Sequence, residues 1–173
     1  EGDKTLDGVL HDLKRELPLK ISFRYMGQKT TTQEGGHPFV ELASLTPGSV
    51  VLHSGEGYRL SFSAEESCYL YIYMQDSRGK IIRLFPNPQG SNTKNPLHPG
   101  KRYIIPENGN WFILDDSSGA ETLYFTAARW PARDLERLYA SLQEAGDPQE
   151  KARYRSQLVK RIHARQLAQD KGL

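Results

Sequence analysis

The one thiol of this chain, Cys68, is the residue type best suited to nucleophilic chemistry, and its neighbours are the wrong ones. Glu65 and Glu66 precede it and no histidine stands beside it, whereas a reactive cysteine needs an electropositive setting that stabilises thiolate. It lies on an apolar strand face and reads as a small buried hydrophobe. The five histidines, His11, His37, His53, His98 and His163, are scattered, with no i, i+4 pair and no metal-ligand spacing. Asp115-Asp116 is the densest acidic pair, but Ser117, Ser118 and Gly119 behind it mark a hairpin turn, and Glu65-Glu66 reads as a turn too. Nothing selects either pair as the carboxylates of a glycoside hydrolase. Nucleophile-elbow, phosphate-loop and dinucleotide motifs are missing. The chain is therefore expected to be no enzyme, with no cofactor and no metal, and a reading built on scattered acids is the weakest.

Residues suited to recognition are more prominent. Cys68, Leu70, Ile72 and Met74 face one way along a strand, while Tyr69, Tyr71 and Tyr73 face the other. The aliphatic row belongs to a core between sheets. The tyrosine row is either a partner platform or the seat of a terminal helix, and the second is preferred because three apolar helix stripes need a surface. In Leu84-Phe85-Pro86-Asn87, Leu84 or Phe85 fills the end of the core, Pro86 ends the ladder, and Asn87 satisfies backbone groups. The same string opens a proline-rich loop to Arg102 whose stiffness would lower the ordering cost of binding. Near the C-terminus seven cations, including Arg155, Arg161 and Arg165, face only Glu150 and Asp170. That basic helix is either a docking surface or simply a solvated face. Trp111 and Trp130 could stack on a sugar.

The elements that must hold these residues follow from hydrophobic periodicity. Leu6, Val9, Leu10, Leu13 and Leu17 recur every three or four residues and predict a helix that Thr5 caps and Pro18 stops. Leu19 to Tyr25 alternates as a strand, and a polar loop runs from Met26 to Pro38. Further strands are expected at 39–43, 50–52, 58–63, 68–75, 80–85, 103–105, 111–115 and 122–128, with Asp76 to Gly79 as a hairpin loop. Short strands at this spacing, with no crossover helices, argue an antiparallel sandwich. Beyond Pro131 the period turns helical: Leu135, Leu138, Tyr139 and Leu142 form one stripe, with Gly146 placed as a C-terminal cap. Asp147-Pro148 opens a second helix with Tyr154, Leu158 and Ile162 on its apolar side.

At 173 residues one domain with a helical appendage is expected: a helix in 1–18, a β-sandwich in 19–130 and a helical extension in 131–173. The 9 tyrosines and 6 phenylalanines suit half-buried sheet surface. A formal net charge of +2 gives no field for nucleic acid, and no nucleic-acid partner is expected. One cysteine excludes an intrachain disulfide. No apolar run approaches the length of about 20 residues that spans a bilayer.

Several strings in the middle of the chain carry a resemblance. They are Leu52-x-Ser54-Gly55-Glu56-x-Tyr58-Arg59-Leu60, Tyr69-Leu70-Tyr71, Asp76-Ser77-x-Gly79-Lys80, Leu84-Phe85-Pro86-Asn87 and Gly100-Lys101-x-Tyr103-x-Ile105-Pro106. In that order and spacing, over about residues 47–128, they resemble the bacterial DUF4384 family, a domain of unknown function. The resemblance implies an immunoglobulin-like β module of secreted or envelope lipoproteins, with no known catalytic residues. The fold expected is thus mainly β, an antiparallel immunoglobulin-like β-sandwich with an N-terminal helix and two C-terminal helices. The role expected is a non-enzymatic protein-interaction module, periplasmic or outer-membrane-associated, taking a signal or lipobox segment as already removed. The runner-up is a carbohydrate- or cell-wall-binding module.

Overall fold

A computed structural model describes residues 19–26, 39–42, 57–87, 92–114 and 121–170. The N-terminal helix, the loop after Met26, the strand at 50–52 and the turn at 115–120 lie outside the described residues. Eight strands and two helices follow in order: β1 (Leu19–Met26), β2 (Phe39–Leu42), β3 (Gly57–Ala64), β4 (Tyr69–Gln75), β5 (Ile81–Phe85), β6 (Arg102–Ile105), β7 (Phe112–Ile113), β8 (Thr122–Ala128), α1 (Arg133–Glu144) and α2 (Pro148–Asp170).

The strands form two antiparallel sheets. One runs β2-β1-β3-β6 with β7 also on β3, and the other runs β5-β4-β8. The period of two in β3 buries Tyr58, Leu60, Phe62 and Ala64 and turns Arg59, Ser61 and Ser63 the other way. From the second sheet Leu70, Ile72, Leu84 and Phe85 meet them in one apolar core shared by both sheets. Both members of Leu84-Phe85 enter that core. A register shift next to Ile72 and Tyr73 pairs Phe85 with Ile72 and Arg83 with Tyr73, so Leu84 is the extra residue of a bulge.

Strand β4 is buried on both sides. Its other face presents Tyr71 and Tyr73, which pack with Tyr124 and Ile81 beneath Leu135 and Leu142 of α1 and Leu158 and Ile162 of α2. The molecule thus has three layers: five-stranded sheet, three-stranded sheet, helical pair. The stripes read from spacing in these two helices bury as expected: Leu135 and Leu142 of α1 and Leu158 and Ile162 of α2 are core. Helix α1 ends without a glycine cap, however. Ala145 closes it at φ −59 and ψ 125, its N–H donating to Ser141. The Asp147 side chain accepts from the Gln149 N–H and starts α2. Among the described residues no helix is long and apolar enough to cross a membrane.

Candidate interaction face

The outer side of the five-stranded sheet is built by β3 and by the two short strands that follow each other along its edge. Strand β7 pairs with Gly57 and Tyr58, and β6 pairs with Leu60 to Ser63. Residues directly across a ladder share a face, so Ile113 stands at Gly57, Ile104 at Ser61 and Arg102 at Ser63. The Arg59 guanidinium lies over the Trp111 ring, 5.4 Å from its centroid. Arg102 donates from Nε to Ser61 Oγ at 2.7 Å. On the far side of β3 the register sets Lys20, Ser22 and Arg24 across from Ser63, Ser61 and Arg59.

Gly57 is what lets the apolar end of this face lie flat. A Cβ there would stand 3.0 Å from Ile113 Cδ1 and 3.1 Å from Trp111 Cβ. Ile104 and Ile113 remain 38% and 59% exposed. Together with Trp130 they are the exposed large hydrophobics among the described residues.

The residues expected to mediate recognition distribute differently. Trp111 lies in this face. Tyr71 and Tyr73 do not form an open platform: both are fully buried under the helices, and Tyr69 is half-buried with them. Desolvation by that burial pushes the Tyr71 and Tyr73 phenols well above their ordinary range. The Tyr71 hydroxyl donates to Glu136 and accepts from the Ala132 N–H, while the Tyr73 hydroxyl is buried with no hydrogen-bond partner. Phe85 is fully buried in the shared core, so it offers nothing to a partner. Pro86 and Asn87 are half-buried at the strand end.

The proline-rich loop read as suited to recognition is anchored through its described second half. Asn95 acts as a strand surrogate, donating from Nδ2 to Leu70 O at 2.9 Å and accepting the Leu70 N–H at 3.0 Å. Leu97 is fully buried and donates its N–H to Cys68 O. The Thr93 and Asn92 amides reach Glu107. The basic helix is likewise engaged. Arg161 and Arg165 both donate to Asp134 of α1, at 2.5 and 2.6 Å, and Arg155 lies against Gly79 in the β4–β5 turn. Desolvation raises the Cys68 thiol above its ordinary pKa, which keeps it protonated and inert.

Arg102, Ile104 and Ile113 are not singled out by spacing or motif, and Arg59 enters only as a member of the Tyr58-Arg59-Leu60 string. One signal was present. In a strand successive residues face opposite ways, so of Ile104-Ile105 only one can reach the core, and Trp111 and Ile113 must oppose Phe112. Comparison with known proteins bears on the same region. Residues 51–131 match the family model of DUF4384, a domain of unknown function. The DUF4384 stretch takes in β3 to β8, including the whole Arg59–Trp111 face, and leaves β1, β2 and both helices outside. No curated protein and no solved structure matches the chain.

Proposed function

We propose that the chain is a non-enzymatic protein-interaction module of a bacterial cell-envelope protein, and that it docks its partner on the Arg59–Trp111 face. The carrying observation is the pair Ile104 and Ile113, exposed on either side of a cation stacked on an indole. Trp and Arg are the residue types that most often dominate binding energy, and exposed aliphatics beside them supply area that excludes water. The inert thiol supports the non-enzymatic part. The DUF4384 match, and the envelope setting that the family resemblance implies, support the location.

The scaffold is read as an immunoglobulin-like sandwich. Adjacent β1-β3-β6 in one sheet and β5-β4-β8 in the other support that reading, since they correspond to the A-B-E and C′-C-F runs of such folds. Glycan binding is the second reading, favoured only by Trp130, which is 70% exposed. The aromatic set it needs is dispersed, with Tyr71 and Tyr73 buried and one side of Trp111 under Arg59.

The test is retention of a protein from a bacterial envelope fraction by the immobilised chain, compared with the Ile104→Asp, Ile113→Asp double variant. Loss of the retained protein with an unchanged thermal transition supports the reading. Equal retention by both chains removes this face as the docking site.

A further inference from the structure

Along β3 the outer face alternates in chemistry at every second position. Ile113 lies at Gly57, the Arg59–Trp111 stack comes next, Ile104 lies at Ser61, and Arg102 lies at Ser63. The order is apolar, cationic, apolar, cationic. Positions 59 and 63 are separated by about 13 Å along the strand at roughly 3.3 Å per residue. A segment in extended conformation, laid along β3, repeats its own side chains at the same interval. An α-helix, rising about 1.5 Å per residue, would need eight or nine residues to match it.

Arg59 carries the electrostatic side of the argument. Among the described residues no carboxylate pairs with it. Its Nη2 donates to the Pro106 carbonyl over a long 3.4 Å, and its Nε is buried without a hydrogen-bond partner. The Trp111 ring holds the guanidinium in place, which lowers the entropy a bound anion must remove. A planar guanidinium held in position by an indole suits a carboxylate. Arg102 is exposed one cationic step further on.

Resting on the docking reading above, we infer that the partner contributes an extended acidic segment in which carboxylate and apolar side chains alternate at every second residue. A carboxylate meets Arg59, and the apolar side chains on either side of it meet Ile104 and Ile113.

The probe is a short fluorescein-labelled peptide of Val-Thr-Glu-Thr repeats, with a Val-Thr-Lys-Thr peptide and polygalacturonate as comparisons. Anisotropy should show the glutamate peptide binding, weakening as salt rises. Arg59→Glu and Ile113→Asp should each lower its affinity by about tenfold or more. Arg59→Gln serves if the reversal perturbs folding. The inference is overturned if the lysine peptide binds as well, if polygalacturonate binds in preference, if the glutamate peptide does not bind, or if either substitution leaves its affinity unchanged. Retention of an envelope protein that depends on Ile104 and Ile113 but not on Arg59 would keep the docking face and discard the acidic segment.

Discussion

The Tyr71 hydroxyl, on the central strand β4, donates a 2.7 Å hydrogen bond to Glu136 of α1. It also accepts the Ala132 N–H at 3.0 Å, just before the helix. One buried phenol thus joins the inner sheet to the start of α1, where no side-chain cap is present. Tyr73 on the same face packs its ring at 5.7 Å from Tyr139 yet leaves its hydroxyl unbonded.

These two tyrosines should respond oppositely to loss of a hydroxyl. Tyr71→Phe keeps the packing but strands a buried N–H, and should cost about 1–3 kcal/mol in urea unfolding. Tyr73→Phe removes an unpartnered polar atom and should be neutral or slightly stabilising. Equal losses for both would show that Tyr73 has a hydrogen-bonding partner, such as a buried water.

Asp134 should make stability depend on acid pH. Burial alone would push its carboxyl up, but the hydrogen bonds from Arg161 and Arg165 outweigh that and bring it from 3.8 to about 2. The folded value lies below the unfolded one. The contribution is therefore complete above about pH 4 and is lost as pH falls toward 2. Discounted for solvent screening, it amounts to about 1 kcal/mol. The stability gap between the native chain and Asp134→Asn, from urea midpoints, should close over that window; a gap independent of pH would contradict the pairing.

Asn95→Ala should leave both backbone groups of Leu70 unpaired and cost about 2–3 kcal/mol. Hydrogen exchange at the Leu70 amide should accelerate more than at Ile72. Asn95→Asp, which sets a charged oxygen against the Leu70 carbonyl, should fare no better. Unchanged protection at Leu70 would contradict the strand-surrogate role.

Gly79 has φ +80, and a Cβ there would meet Arg155 Nη1 at 3.2 Å. Gly79→Ala should destabilise by about 1 kcal/mol. In an Arg155→Ala background the penalty should shrink without vanishing, since the left-handed backbone remains strained. A fully additive double-mutant cycle would mean the two residues do not interact.

Much of this architecture is legible from period alone. The split of β4 into aliphatic and tyrosine rows, the hairpin at Asp76 to Gly79 and the stripes of both helices need only local alternation. The candidate site is less legible. Phe85 looked suited to recognition and is core, because a bulge turns it and Leu84 inward together. Arg161 and Arg165 looked free because their acid lies about thirty residues back, at Asp134, and only the antiparallel pairing of two helices brings it near. Asn95 gave no local sign of its role, since its partner Leu70 is reached only when the loop folds back along β4.

What the polypeptide determined unaided is which residues share a face, because the backbone repeats every second residue in a strand and every three or four in a helix. What lies opposite each face was decided by tertiary packing. Helices closed over the tyrosine side of the three-stranded sheet, while the Arg59–Trp111 side of the five-stranded sheet kept exposed isoleucines. That choice depends on which apolar stripes find each other across long stretches of chain, and short-range periodicity carries no information about it.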